Sequence, residues 1–377
     1  MKLKLIALLI SQFVTSFSVI SLELESSIAI KVAKNPNSLA IADLDKDGIN
    51  EIIISSQQDG IISVYKIKSR NKKVASAFFN GGINPTDLSV EDMNKDGFLD
   101  LVIANHESSN FRVLLNDGTG SFEDENALVY PVKTSPHIHT LGVGDFNQDK
   151  VNDVVIDSWG SSEVSVYYLD SKSGFKGKPT TIEVKQQPRT NLVVADLDGD
   201  SLPDIITPGT RFGGVTIVFG KSLNAPVFIE TSVSPFYVSV ADTNLDGHQD
   251  IISVHRNGNY RDKNDEAISL LLGNGKGHFE LATNFPMALS GAPSSVSAGD
   301  LDGDGLIEIV TANYRTNSVT VIYKKTLKDA YRAINFSVGS RPLAVVVEDI
   351  DGDSVDEVVV ANSESNDISI LKFMKVD

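Results

Sequence analysis

The sequence predicts an all-β seven-bladed β-propeller of four-stranded antiparallel blades. Two observations predict it. An acidic loop of the form D-x-[DN]-x-D-G-x-x-[DE] recurs seven times, starting at Asp43, Asp92, Asp145, Asp196, Asp242, Asp300 and Asp349. Successive starts lie 46 to 58 residues apart, the length of one four-stranded unit repeated around a ring.

Within each repeat an apolar run precedes the loop, as in residues 38–42, and a β-branched run follows it, as in 52–54. Strand, acidic turn, strand is the local reading. A third run follows a polar turn, as in 62–67 or 111–115, and a fourth, such as 74–79, leads into the next loop. The last repeat ends after its third strand, 368–373. Residues 27–32 followed by 35–42 align with 333–338 followed by 340–347, so the chain's first strand is expected to complete the last blade and remove its exposed edge.

Repetition over 377 residues leaves no stretch for a second domain. Residues 1–21 read as a secretory signal peptide: Lys2 and Lys4, an apolar run over 5–10, and small residues at Ser16, Ser18 and Ser21, with cleavage expected near Ser18 to Ser21. Residues 22–377 form the propeller. No other segment is long and apolar enough to span a bilayer, and without cysteine the chain can carry neither a disulfide nor a lipid-modified cysteine. The expectation is an exported monomer, secreted or periplasmic, with no membrane span.

The formal charge is −17, and half of the 50 acidic residues occupy positions 1, 3, 5 and 9 of the seven loops. Such carboxylates repel one another unless a cation sits among them, and alternate side chains in a tight turn aim at one point. Hard oxygen donors of this kind select calcium. Seven divalent ions would bring the charge to about −3. The expected ligands are Asp43, Asp45, Asp47 and Glu51; Asp92, Asn94, Asp96 and Asp100; Asp145, Asn147, Asp149 and Asp153; and Asp196, Asp198, Asp200 and Asp204. The remaining sets are Asp242, Asn244, Asp246 and Asp250; Asp300, Asp302, Asp304 and Glu308; and Asp349, Asp351, Asp353 and Glu357. An EF-hand is excluded because position 12 is not Glu (Ile54, Thr311) and the flanks are strands.

Glycine at position 6 permits a sharp bend, and it is present as Gly48, Gly97, Gly247 and Gly305, with Lys150, Ser201 and Ser354 elsewhere. The third loop is therefore expected to be the weakest of up to seven calcium sites, with the Lys150 ammonium partly standing in for the ion.

These loops, with the Gly-rich turns 116–122 and 273–279 that each end in Phe, resemble the FG-GAP/VCBS repeat family, found in the propeller of integrin α subunits and in many exported bacterial proteins. The resemblance covers residues 27–377. It implies a seven-bladed propeller with calcium between the first two strands of a blade, and makes an adhesion role plausible.

In a meander the acidic loops and the third-to-fourth turns share one face. The opposite face carries His106, Trp159, Arg211, Phe212, Arg256, Tyr260, Arg261, Tyr314 and Arg315, a composition suited to recognition. His137, His139 and Arg341 lie on the inter-blade connections of that face. The primary reading is a non-catalytic binding module for a protein or glycan on this face. The alternative is a polysaccharide-active lyase or hydrolase with its active site on a propeller face, although no G-x-S-x-G or H-E-x-x-H motif occurs. Nucleic acid is disfavoured by charge and by the lack of basic runs.

Overall fold

A computed structural model describes residues 22–67, 73–132, 137–157, 160–170, 174–185, 187–188, 190–209, 213–231, 234–255, 267–282, 287–288 and 291–375. The signal segment 1–21 and the face residues Trp159, Arg211, Phe212, Arg256, Tyr260 and Arg261 lie outside the described residues.

The strands form seven antiparallel blades. Blade 1 is Pro36–Ala42, Glu51–Ser56, Ile61–Ile67 and Lys73–Asn80, and blade 2 is Pro85–Glu91, Asp100–Asn105, Asn110–Leu114 and Leu128–Pro131. Blade 3 is Leu141–Gly144, Asp153–Asp157, Glu163–Tyr167 and Thr180–Glu183, with a small hairpin, Leu169–Asp170 and Gly174–Phe175, before its fourth strand. Blade 4 is Val193–Ala195, Asp204–Gly209, Gly214–Val218 and Val227–Glu230, and blade 5 is Pro235–Ala241, Asp250–His255, Ala267–Gly273 and Phe279–Leu281. Blade 6 is Pro293–Gly299, Glu308–Asn313, Ser318–Tyr323 and Arg332–Ser337. Blade 7 has Pro342–Glu348, Glu357–Asn362 and Asp367–Lys375, and its outer strand is Leu22–Lys31 from the start of the chain.

That closure is an antiparallel ladder running from Leu22 opposite Lys375 to Lys31 opposite Asp367, with one irregularity between Leu24 and Ser26. First strands pack side by side around the ring, Pro342–Glu348 lying against both Pro293–Gly299 and Pro36–Ala42.

The strand sequences explain the layering. Second strands are buried along their whole length, which is why they read as continuous apolar runs, whereas outer strands such as Arg332–Ser337 alternate with solvent. Because side chains alternate, Ile52 and Ile54 enter the core shared with blade 7 while Ile53 enters the core shared with blade 2. The described residues form seven such apolar clusters, one at each blade interface. The Gly-rich turns deliver their aromatic ends inward: Phe122 and Phe279 are both buried.

Polar side chains at the channel end of the first strands stitch the blades together. Asn37 Nδ2 donates to the carbonyls of Pro85 and Thr86, Asn191 Nδ2 to that of Val238, and Ser294 Oγ to that of Pro342. Asp87 accepts from Ser38 Oγ, Thr140 Oγ1 and the Leu141 amide, joining blades 1, 2 and 3.

Candidate functional site

All seven acidic loops share one backbone form. Position 4 (Lys46, Lys95, Gln148, Gly199, Leu245, Gly303, Gly352) and position 6 (Gly48, Gly97, Lys150, Ser201, Gly247, Gly305, Ser354) all adopt positive φ. Lys150, Ser201 and Ser354 therefore take the same bend as the glycines, at a cost of about 1–2 kcal/mol each for an L-residue in that region. Lacking glycine does not reshape a loop.

The bend turns backbone N–H groups toward the acids. The position-1 carboxylate accepts the amide of position 6 at 2.7–2.8 Å in every loop. The position-5 carboxylate accepts the amide of position 7, again in all seven. These bonds fix the direction of both side chains.

Position 9 begins the second strand and is buried in every blade. Its carboxylate accepts the amide of position 2 across the loop, from Leu44, Met93, Phe146, Leu197, Thr243, Leu301 and Ile350. Where position 9 is Asp, the second oxygen accepts an amide at the exit of the third strand: Asn116 for Asp100, Leu169 for Asp153, Gly220 for Asp204 and Gly273 for Asp250. Burial pushes all seven acids above the ordinary carboxyl range, with neighbouring loop acids adding to it: Asp100 and Asp204 to about 6, Asp153 and Glu357 to about 7, Glu308 to about 8, and Glu51 and Asp250 in the same direction. A cation among them would reverse that shift.

In four loops three acids bring ligand oxygens within 4.8 Å of one another: Asp43, Asp45 and Glu51; Asp196, Asp198 and Asp204; Asp300, Asp302 and Asp304; and Asp349, Asp351 and Asp353. These clusters could hold a metal ion. In the fourth and seventh, Asp198 Oδ1 and Asp351 Oδ1 are buried carboxylate oxygens without a hydrogen-bond partner, as an inward ligand atom would be. The second, third and fifth loops carry Asn at position 3, and Asn94 and Asn244 each donate to the position-5 Asp.

Lysines from the third strands enter these loops. Lys66 Nζ lies 2.7 Å from Asp45, 2.7 Å from Asp47 and 2.6 Å from Glu51, and Lys372 Nζ lies 3.1 Å from Asp351, 2.7 Å from Asp353 and 2.6 Å from Glu357. Burial alone would lower both ammonium groups, but their carboxylate bonds override it and hold them above the usual lysine range. The third loop differs from expectation: the ammonium on Asp149 belongs to Lys176, at 2.9 Å, while Lys150 contributes its backbone bend and amide. Lys221 pairs with Asp198 in the fourth loop. In the sixth, the third-strand residue at the register of Lys66 is the uncharged Tyr323. The sequence signal was a lysine fifteen residues after a position-9 Glu, outside the local motif.

Neighbouring loops are tied together. Asn50 Nδ2 donates to the Asp349 carbonyl, Asn152 Nδ2 to that of Asp92, and Asp356 accepts the Asp300 amide.

On the opposite face the structure separates the described candidates into two groups. His106 stacks on His137 (centroids 4.1 Å) and meets His139 edge-on (4.9 Å) at the junction of blades 2 and 3. Burial lowers the His106 imidazole, and His139 and His137 lower it further. Tyr314 and Arg315 follow the second strand of blade 6, anchored by their amides to Ala292 and Gly291, and the Arg341 guanidinium lies 5.4 Å from the Tyr314 ring. A central channel of about 570 Å³ lies between the first strands, lined by Asp87, His139, Asn191 and Tyr237 among others. Burial, with the Asp87 charge next, pushes the Tyr237 hydroxyl up to about 12.

Comparison with solved structures shows the same fold at low identity. The BBS1N chain in a crystal structure with ARL6DN superposes with a TM-score of 0.63 at 13% identity, covering 93% of this chain and 96% of that one. Virginiamycin B lyase from Staphylococcus aureus gives 0.62 at 9% identity (92% and 99%), and a protein from Lactobacillus plantarum gives 0.58 at 15% (83% and 87%). No curated protein matches the chain by sequence. The FG-GAP-like repeat matches residues 43–103, 92–156, 242–311 and 300–360, each match running from one acidic loop into the second strand of the next blade. With more than half of its length so matched and the propeller formed, the chain belongs to the FG-GAP-like repeat family.

Proposed function

We propose that this protein is an exported, calcium-binding propeller that acts as a non-catalytic module, binding a protein or glycan through the face opposite its acidic loops. The observation that carries the calcium reading is the convergence of three acid side chains in each of four loops, backed by buried position-9 acids that are all pushed toward protonation. An all-oxygen carboxylate donor set suits calcium better than softer metals.

The binder reading is supported by how the channel spends its polar groups. Asp87, Asn37, Asn191 and Ser294 are engaged in joining blades, and Asp87 in particular accepts four hydrogen bonds. A general acid or base must instead present its group to a substrate. Propellers of this shape include BBS1N in complex with ARL6DN and the virginiamycin B lyase of Staphylococcus aureus, so function rests on the site and not on the fold. A glycan array and a polysaccharide-degradation screen, each run with calcium and with chelator, test the reading. Saturable binding that chelator abolishes, without turnover, is expected; turnover of any polymer contradicts it.

A further inference from the structure

The histidines at the junction of blades 2 and 3 differ in chemistry from every acidic loop. We propose that His106, His137 and His139 form a second metal site, for a borderline-soft dication such as Zn²⁺, on the face opposite the acidic loops and beside the channel mouth.

Local structure gathers the three rings. His106 directly follows the second strand of blade 2, and His137 and His139 flank the fully buried Ile138 on the connection into blade 3, so alternation puts both on one side. His139 also lines the central channel. Ring centroids of 4.1 and 4.9 Å bring His137 and His139 each into contact with the same imidazole, that of His106.

Carboxylates stand behind two of the rings. His139 Nδ1 lies 3.4 Å from Asp157 Oδ2, and His106 Nδ1 lies 3.4 Å from Glu107 Oε1. At 3.4 Å these are close approaches rather than formed hydrogen bonds; a small ring rotation would let each Nδ1–H donate to its carboxylate and leave Nε2 to ligate, the usual arrangement behind metal-bound histidine. Asp157 is the more telling of the two. It is completely buried, yet its register position is occupied by Ala104, Ala312 and Ala361 in blades 2, 6 and 7. Its Oδ1 accepts the amides of His139 and Thr140, while Oδ2 has no hydrogen-bond partner. A buried carboxylate with one unsatisfied oxygen against an imidazole is costly unless positive charge sits nearby, and a dication on His139 supplies it.

Three imidazoles and one open position are a known preference of Zn²⁺. The ligand groups that already converge within 4.8 Å among the described residues are all acidic. The ion would draw the imidazoles together by side-chain rotation, chiefly of His137 out of its stack on His106.

The test uses the full chain in excess calcium, titrated with Co²⁺ and followed by visible absorption. Nitrogen-rich four-coordinate Co²⁺ absorbs far more strongly than octahedral oxygen-bound Co²⁺, so the acidic loops are distinguishable whether or not calcium fills them. One strongly absorbing Co²⁺ per chain is expected, displaced by Zn²⁺, lost in the His137→Ala/His139→Ala double variant and kept in Asp304→Asn. Asp157→Asn, which retains the Oδ1 acceptor, should melt like the parent and bind Co²⁺ about 10–100-fold more weakly, with Asp157 acting as a positioning residue. His106→Gln gives a second reading should the double variant fail to fold. Absence of the strong band, its survival in the histidine variants, or unchanged affinity in Asp157→Asn overturns the proposal.

Discussion

Lys66 Nζ sits 2.6 Å from Glu51 Oε1, in the middle of the first acidic loop, where it also touches Asp45 and Asp47. One ammonium thus compensates three acids at a place a divalent ion would occupy. The first and seventh loops hold their own internal cation, which any metal ion entering them would have to displace.

Replacing Lys66 by Met should therefore act in opposite ways with and without metal. In chelator it leaves Glu51 buried beside like charges and should destabilise the fold by about 3–5 kcal/mol, the usual result of removing one partner from a buried pair. In calcium most of that loss should be recovered, and the first loop should bind the ion more tightly than in the parent. Denaturant unfolding under both conditions checks this; an equal loss in each contradicts it.

Position-9 acids give the metal-free protein a distinctive pH response. Burial raises Glu308 from 4.5 to about 8 and Asp153 from 3.8 to about 7, so the folded chain binds these protons more tightly than the unfolded one. Metal-free stability should accordingly fall as pH rises through the window from the unfolded carboxyl values to about 8. Melting curves in metal-stripped buffer should show that decline, and calcium should flatten or invert it. A melting temperature that rises with pH across this window without metal contradicts the assignment.

The sixth loop joins three converging acids to glycine at positions 4 and 6 and an uncharged third-strand neighbour, Tyr323. Asp304→Asn should cost more calcium affinity than Asp149→Asn, whose loop already has Lys176 on the substituted acid. Calorimetric titration of both variants decides the order, and the reverse order contradicts it.

Leu22–Lys31 closes the ring by pairing with Asp367–Lys375 and burying Leu22 and Ile30 in the two cores that flank blade 7. Leu22→Ala should cost about 2–5 kcal/mol, as expected for a fully buried leucine. Deleting residues 22–33 should lower the melting temperature sharply, since it also opens an edge. An unchanged melt would defeat the closure.

The fold was legible because it is written in repetition. Seven loops at regular spacing, with strands of period two between them, determine blade count and register, and the missing fourth strand after residue 373 points to the N-terminus. What escaped the sequence depends on reach rather than on local pattern. Lys66 and Lys372 arrive from the third strand, fifteen to twenty-one residues beyond the acids they contact. The positive φ of Lys150, Ser201 and Ser354 is imposed by the loop's hydrogen bonds against each residue's own preference, so Gly at position 6 was a poor guide to which loops bend correctly. His106 meets His137 and His139 only because blades 2 and 3 are neighbours in the ring.

Calcium titration of the metal-stripped chain by calorimetry, paired with melting curves, tests the central claim most directly. Heats from several sites, and a melting temperature that climbs with calcium, are predicted; a site filled at 100 times its dissociation constant contributes about 2.7 kcal/mol. No heat of binding and a melt indifferent to calcium and chelator would contradict the claim that these loops are built around a divalent ion.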